Sequence, residues 1–83
     1  MSLIARSPKQ LGNVIQRTRR QLGLTQTQLA NLAGLRQEKV SIVESGQDGA
    51  KLSTIFALLA ALNLEITVEA RSGKSAKGIE DIF

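Results

Sequence analysis

Apolar residues recur first at helical spacing and then, late in the chain, at every second position. Leu11, Val14, Ile15, Thr18 and Leu22 fall on one stripe of a helix, because residues three and four apart share a face. Ser7 stands where a side chain caps the first turn. Pro8 loses nothing at the first helical position, whose N–H has no partner in any case, and Gly23 supplies a left-handed stop. The spacing predicts a first helix over 8–22, with Arg17 and Arg20 turned away from its apolar stripe. Thr25-Gln26-Thr27-Gln28 is a capping box, in which hydroxyl and amide each satisfy the other residue's backbone N–H. It opens a second helix that turns Leu29, Leu32 and Ala33 inward and ends at Gly34.

In the next helical pattern Val40 and Val43 point inward together. At about 100° per residue, Glu38, Ser41, Ile42 and Ser45 fall on the opposite face, with Gln37 on its flank. Gly46 closes this helix, and Gln47-Asp48-Gly49 is a turn by composition. From Leu52, the residues Ile55, Phe56, Leu58, Leu59 and Leu62 predict a strongly apolar fourth helix, with Phe56 expected as the large core filler. After Asn63 the period changes to two. Leu64, Ile66, Val68 and Ala70 alternate with Glu65, Thr67 and Glu69, which predicts a half-buried strand over about 64–70. A lone strand leaves its N–H and C=O groups unpaired, and the nearest matching edge belongs to a second copy. A homodimer with an intermolecular two-stranded sheet is therefore expected, with Leu64, Ile66 and Val68 as the dimerisation residues.

Composition narrows the function classes. Eighty-three residues make one domain, read as 1–71, followed by a Gly-, Lys- and Ser-rich tail, 72–83, expected to be flexible. With no Cys and no His, the chain has no disulfide framework, no thiolate metal site and no Ser-His or Cys-His catalytic pair. Neither a nucleophile–base pair nor a phosphate-cradling glycine loop is present, so no enzyme, metal or cofactor is expected. Met1 to Ser7 lacks an apolar stretch, which suggests a cytoplasmic protein. Charge is unevenly spread. Residues 1–43 carry seven basic side chains against Glu38 alone, a balance of +6, whereas residues 44–83 carry four against six, a balance of −2. A basic half on a small domain suits a polyanion, and double-stranded DNA is the expected partner.

Two short helices joined at a glycine, the second with a polar outer face, are the sequence form of a helix-turn-helix. Gly23-Leu24-Thr25-Gln26, Leu29-Ala30, Ala33-Gly34-Leu35, Val40-Ser41 and Glu44-Ser45-Gly46 resemble, in type and spacing, the Xre or phage-repressor-like helix-turn-helix family. Ser7-Pro8-Lys9-Gln10-Leu11 and Leu52-Ser53-Thr54-Ile55-Phe56 narrow the resemblance to HipB-type antitoxins, partners of HipA-type kinase toxins. The fold implied is mainly α, a four- to five-helix repressor-like domain plus one C-terminal strand paired across a dimer. The resemblance also implies that Gln26 meets the phosphate backbone and that Arg19, on the first helix, pairs with Glu44 as a structural contact.

The third helix is then expected in the major groove, where each base pair presents its own donor and acceptor pattern. Gln37 can donate and accept in one plane, as adenine N6 and N7 require. Arg36 suits guanine or a phosphate, Ser41 either base type, and Ile42 a thymine methyl. Glu38 departs from the pattern, since an acid facing phosphates costs affinity unless it takes a cytosine N4 amine or pairs with Arg36 or Lys39. Lys39, Ser45, Gln47 and Arg17 are further phosphate candidates, Arg17 also having a plain reading as solvated surface. In the tail, Ile79, Ile82 and Phe83 are apolar residues suited to docking in a partner's groove, by resemblance that of a HipA-like kinase. The reading that emerges is a sequence-specific repressor on a palindromic operator and an antitoxin that autoregulates its operon. A free-standing regulator without a toxin, or a protein-interaction module without DNA affinity, stays open at this point.

Overall fold

The computed structural model describes residues 3–71. Four helices follow one another: α1 (Pro8–Gln21), α2 (Gln26–Ala33), α3 (Gln37–Glu44) and α4 (Leu52–Ala61). Their ends obey the local chemistry of the sequence. The Ser7 hydroxyl accepts from the Gln10 N–H at 3.1 Å, with Pro8 in the first turn. The Thr25–Gln28 capping box closes in both directions, at 2.8 and 3.1 Å. Left-handed residues reverse the chain after all four helices: Gly23 after α1, Gly34 after α2, Gly46 after α3 and Asn63 after α4. Each reversal lets a following N–H reach back to the last turn, Leu24 to the Arg19 carbonyl, Leu35 to Ala30, Gln47 to Ile42 and Leu64 to Leu59.

The core is the meeting of one narrow stripe from each helix. Ile15, Leu29, Val40 and Leu58 are completely enclosed, with Ala30, Val43, Ile55, Leu59 and Leu62 around them. α3 packs against α1, α2 and α4, and α2 also against α4. Contact between α1 and the end of α3 is close enough to depend on Gly12. A Cβ there would stand 2.3 Å from the Val43 carbonyl oxygen and 2.9 Å from that of Glu44. A mid-helix glycine costs about 1 kcal/mol of helix propensity; here it admits backbone against backbone.

Several inward assignments fail. Phe56 is half exposed rather than the core filler, because Ile55, Leu58, Leu59 and Leu62 already occupy the inner side of α4 and leave Phe56 on its flank. Leu32 on α2 and Leu22 at the end of α1 also face solvent, at 64% and 56% exposure. An eight-residue helix offers the core only two or three positions, and Leu29 and Ala30 fill those of α2. The stretch 64–70 forms no strand in the single chain, and among the described residues there is none. Only Leu64 packs on the core, while Ile66 and Val68 are 47% and 94% exposed. The tail residues Ile79, Ile82 and Phe83 lie outside the described residues. No helix among those described is long and apolar enough to cross a membrane.

Candidate nucleic-acid interface

α2 and α3 are joined by a three-residue turn, Gly34-Leu35-Arg36, in which Leu35 is drawn inward by its N–H bond to Ala30. α3 buries Val40, Val43 and Glu44 and leaves Gln37, Glu38, Lys39 and Ser41 in solvent. Ile42 is half buried, so only part of its side chain remains on the outer face. The exposed side of α3 is therefore short and polar, and narrow enough for the major groove, which admits one helix.

Beneath this face sits a buried ion pair. The Arg19 Nε–H donates to Glu44 Oε2 at 2.6 Å and an Nη2–H to Oε1 at 3.0 Å, while Nη1 donates to the Leu24 carbonyl at 2.7 Å. The two side chains are 9% and 2% exposed. Burying two charges is costly unless their remaining donors and lone pairs are satisfied. Here they are: among the described residues, no buried side-chain nitrogen or oxygen lacks a partner. The pair expected between α1 and the end of α3 is thus present, and it fixes α3 to α1.

The pair continues outward. Gln26, the first residue of α2, donates its amide to Glu44 Oε1 at 3.1 Å, and its own carbonyl oxygen accepts the Gln37 amide at 2.6 Å. Four side chains from three helices therefore form one hydrogen-bonded line, Arg19–Glu44–Gln26–Gln37, running from the interior to the exposed start of α3. In the sequence, Gln26 is a phosphate candidate and Gln37 a base reader, with nothing that joins them. Their bond was not visible, since it depends on how α2 and α3 cross.

The other candidates are dispersed around this line. Arg36 precedes α3 and approaches Glu38 at 3.8 Å, both side chains being largely in solvent, at 86% and 65% exposure. This is the intramolecular pairing expected for Glu38, in a loose form. Lys39, Ser45, Gln47 and Arg17 are exposed. The Ser45 hydroxyl spends its proton on the Ile42 carbonyl at 2.8 Å, which leaves its lone pairs outward but no donor for a phosphate until the hydroxyl rotates. Among the described residues no cluster of three acidic, His or Cys side chains is placed to hold a metal ion.

Comparison with known proteins gives this geometry its family. Residues 10–72 match the family described as Helix-turn-helix domain. The Antitoxin HipB of Escherichia coli K12 is 39% identical over 62 residues, covering 75% of this chain and 70% of HipB. HipB of E. coli CFT073 is equally identical over the same length, which is 66% of that protein. The chain thus spans about two thirds of these relatives. Among solved structures, a HipB-O4 20mer complex superposes with a TM-score of 0.75 at 36% identity, over 82% of this chain and 97% of that one. A HipA-HipB-O2-O3 complex superposes at 0.73 and 37% identity, over 78% and 92%. The chain belongs to the helix-turn-helix domain family, and within it is similar to the HipB antitoxins.

Proposed function

We propose that the chain is a dimeric, sequence-specific DNA-binding repressor acting in the cytoplasm as a HipB-like antitoxin, which autoregulates its operon and restrains a HipA-like kinase. The observation that carries this reading is the outer face of α3, where Gln37 is held in place by Gln26 at 2.6 Å on a surface otherwise free to meet a groove. Arg36, Gln37, Glu38, Ser41 and the exposed part of Ile42 are assigned to base edges. Gln26, Lys39, Ser45, Gln47 and Arg17 are assigned to phosphates, which position the protein without reading sequence. The similarity to relatives solved as a HipB-O4 20mer complex and a HipA-HipB-O2-O3 complex supports both partners.

The domain is assigned to 1–71, with pairing of 64–70 between two copies and 72–83 as a tail that docks the toxin through Ile79, Ile82 and Phe83. Exposure of Ile66 and Val68 supports the pairing, since alternating apolar residues in an unpaired extended segment are what a second edge covers. An apolar groove of about 690 Å³ adjoins them, lined by Leu3, Leu11, Val14, Leu59 and Ile66 among others. Two recognition helices related by the dimer axis place half-sites about one helical turn apart, roughly 34 Å, or a multiple of that, on a palindromic operator.

A gel-shift titration with the DNA upstream of its own gene tests the reading directly. Retardation that weakens steeply with salt is expected, and Lys39→Ala lowers the slope of log K against log salt by about one. Binding indifferent to salt, or equal on unrelated DNA, contradicts it. Ile66→Pro removes a ladder N–H and is expected to give a monomer in sedimentation; a persistent dimer rules out this edge as the contact.

A further inference from the structure

Two stretches outside the helices lie side by side, yet no hydrogen bond joins them. Residues 3–6, ahead of α1, and 67–71, after α4, are the walls of one cleft of about 390 Å³, with Arg6 on the first wall and Glu69 and Arg71 on the second. Among the described residues no backbone hydrogen bond crosses it. The N–H and carbonyl groups of 65–71 have no partner there, and on the opposite wall only the Arg6 N–H has one, the Gln10 side chain. Leu3, Ala5 and Thr67 line both this cleft and the apolar groove over the core, so the two are one continuous trough. Two walls that stand apart with their backbone groups unspent make a slot for an extended segment between them.

We infer that this slot takes residues 64–70 of a second copy, so that the N-terminal stretch 3–6 is part of the dimer interface and the shared sheet has four strands rather than two. This rests on the proposed pairing of 64–70 across the dimer. Each copy's 64–70 then lies between the two walls of the other. The order is 3–6, the second copy's 64–70, the first copy's 64–70, and the second copy's 3–6, an arrangement that closes about a two-fold axis. Charge supports this occupant. The cleft carries Arg6 and Arg71 against Glu69 alone, whereas 64–70 brings Glu65 and Glu69 and no cation. Charge also selects the register, since a two-fold axis across the strands runs them antiparallel. With the axis at Thr67, the second copy's Glu65 stands opposite Glu69, like against like. With the axis at Val68, it stands opposite Arg71, in the cleft that Arg6 also lines. That register further sets Val68, 94% exposed in the single chain, against its own copy.

Amide hydrogen exchange of the ¹⁵N-labelled full chain, followed by NMR at concentrations where it is dimeric, tests this. Along one edge of an antiparallel pair only alternate residues exchange hydrogen bonds, so a two-stranded sheet protects every second amide of 65–70. A segment paired on both edges is protected at successive amides. Slow exchange at successive amides of 65–70, together with slowing within 3–5, is expected. Alternate protection in 65–70 with free exchange in 3–5 overturns the inference and leaves the two-stranded sheet standing. Fast exchange throughout 65–70 removes the pairing itself, and the inference with it. Arg6→Glu is expected to raise the dimer dissociation constant in sedimentation on the order of tenfold, because like charges then meet at both symmetric sites. Lys9→Glu, the same charge change outside the trough, is expected to leave it unchanged. Equal effects of the two variants contradict Arg6 as a wall of the slot.

Discussion

Two ion pairs involve α3, one at its end and one at its start, and they have little in common beyond charge. Glu44 is enclosed and is gripped by Arg19 through two contacts, at 2.6 and 3.0 Å. Glu38 stands in solvent with Arg36 3.8 Å away. The first partners are 25 residues apart and tie two helices together; the second are two residues apart and tie nothing. A surface pair is screened by water and gains little, whereas breaking a buried pair strands a charge in a medium that cannot solvate it. Equal chemistry thus yields a structural clamp at one end of the helix and a loose, solvent-exposed pair at the other. That contrast suits a recognition helix, which needs a fixed pose and an outer surface free to rearrange on a ligand.

The contrast can be broken most forcefully at Arg19. Arg19→Ala is expected to cost about 3–5 kcal/mol in urea denaturation, by leaving Glu44 buried and unpaired. Joint replacement of Arg19 and Glu44 by Met should recover most of that loss, because no charge is then stranded; if the single variant keeps nearly full stability, the pair is not a clamp. Next in size is Gly12→Ala. Its Cβ would meet the Val43 carbonyl oxygen at 2.3 Å, so a loss of about 1–3 kcal/mol is expected from overpacking despite the better helix former. A gain in thermal midpoint would show that α1 and α3 are not in backbone contact. Smallest is Glu38→Ala, expected to change stability by less than about 1 kcal/mol and to weaken affinity only on sites that carry the cytosine whose N4 amine Glu38 accepts. Affinity equal or higher on every site would leave Glu38 to its pair with Arg36 and remove it from the base readers.

The local rules carried most of the fold. Caps at Ser7 and Thr25 and stops at Gly23 and Gly34 are written in adjacent residues, and the helices begin and end there. What periodicity could not resolve was how wide a stripe each short helix buries, hence the misplacing of Leu22, Leu32 and Phe56. The buried Arg19–Glu44 pair came from resemblance, since spacing in the chain says nothing of two charges 25 residues apart. The close approach at Gly12 does have a signal in the chain, since a glycine inside a strong helical pattern costs stability and usually marks close packing. The bond between Gln26 and Gln37 had no such signal, because it exists only once α2 and α3 have crossed. Leu64–Ala70 alternates in sequence as a strand does, but alternation by itself gives no partner, and in one chain no strand forms.

Whether the exposed face of α3 lies on base pairs is measured residue by residue by titrating ¹⁵N-labelled protein with its operator duplex. The largest amide and side-chain NH2 shifts are expected at Gln26 and along Gln37 to Ser41, with little change in α4. Shifts concentrated in α4 or in Leu64–Ala70, with Gln37 and its side chain unmoved, would contradict that placement.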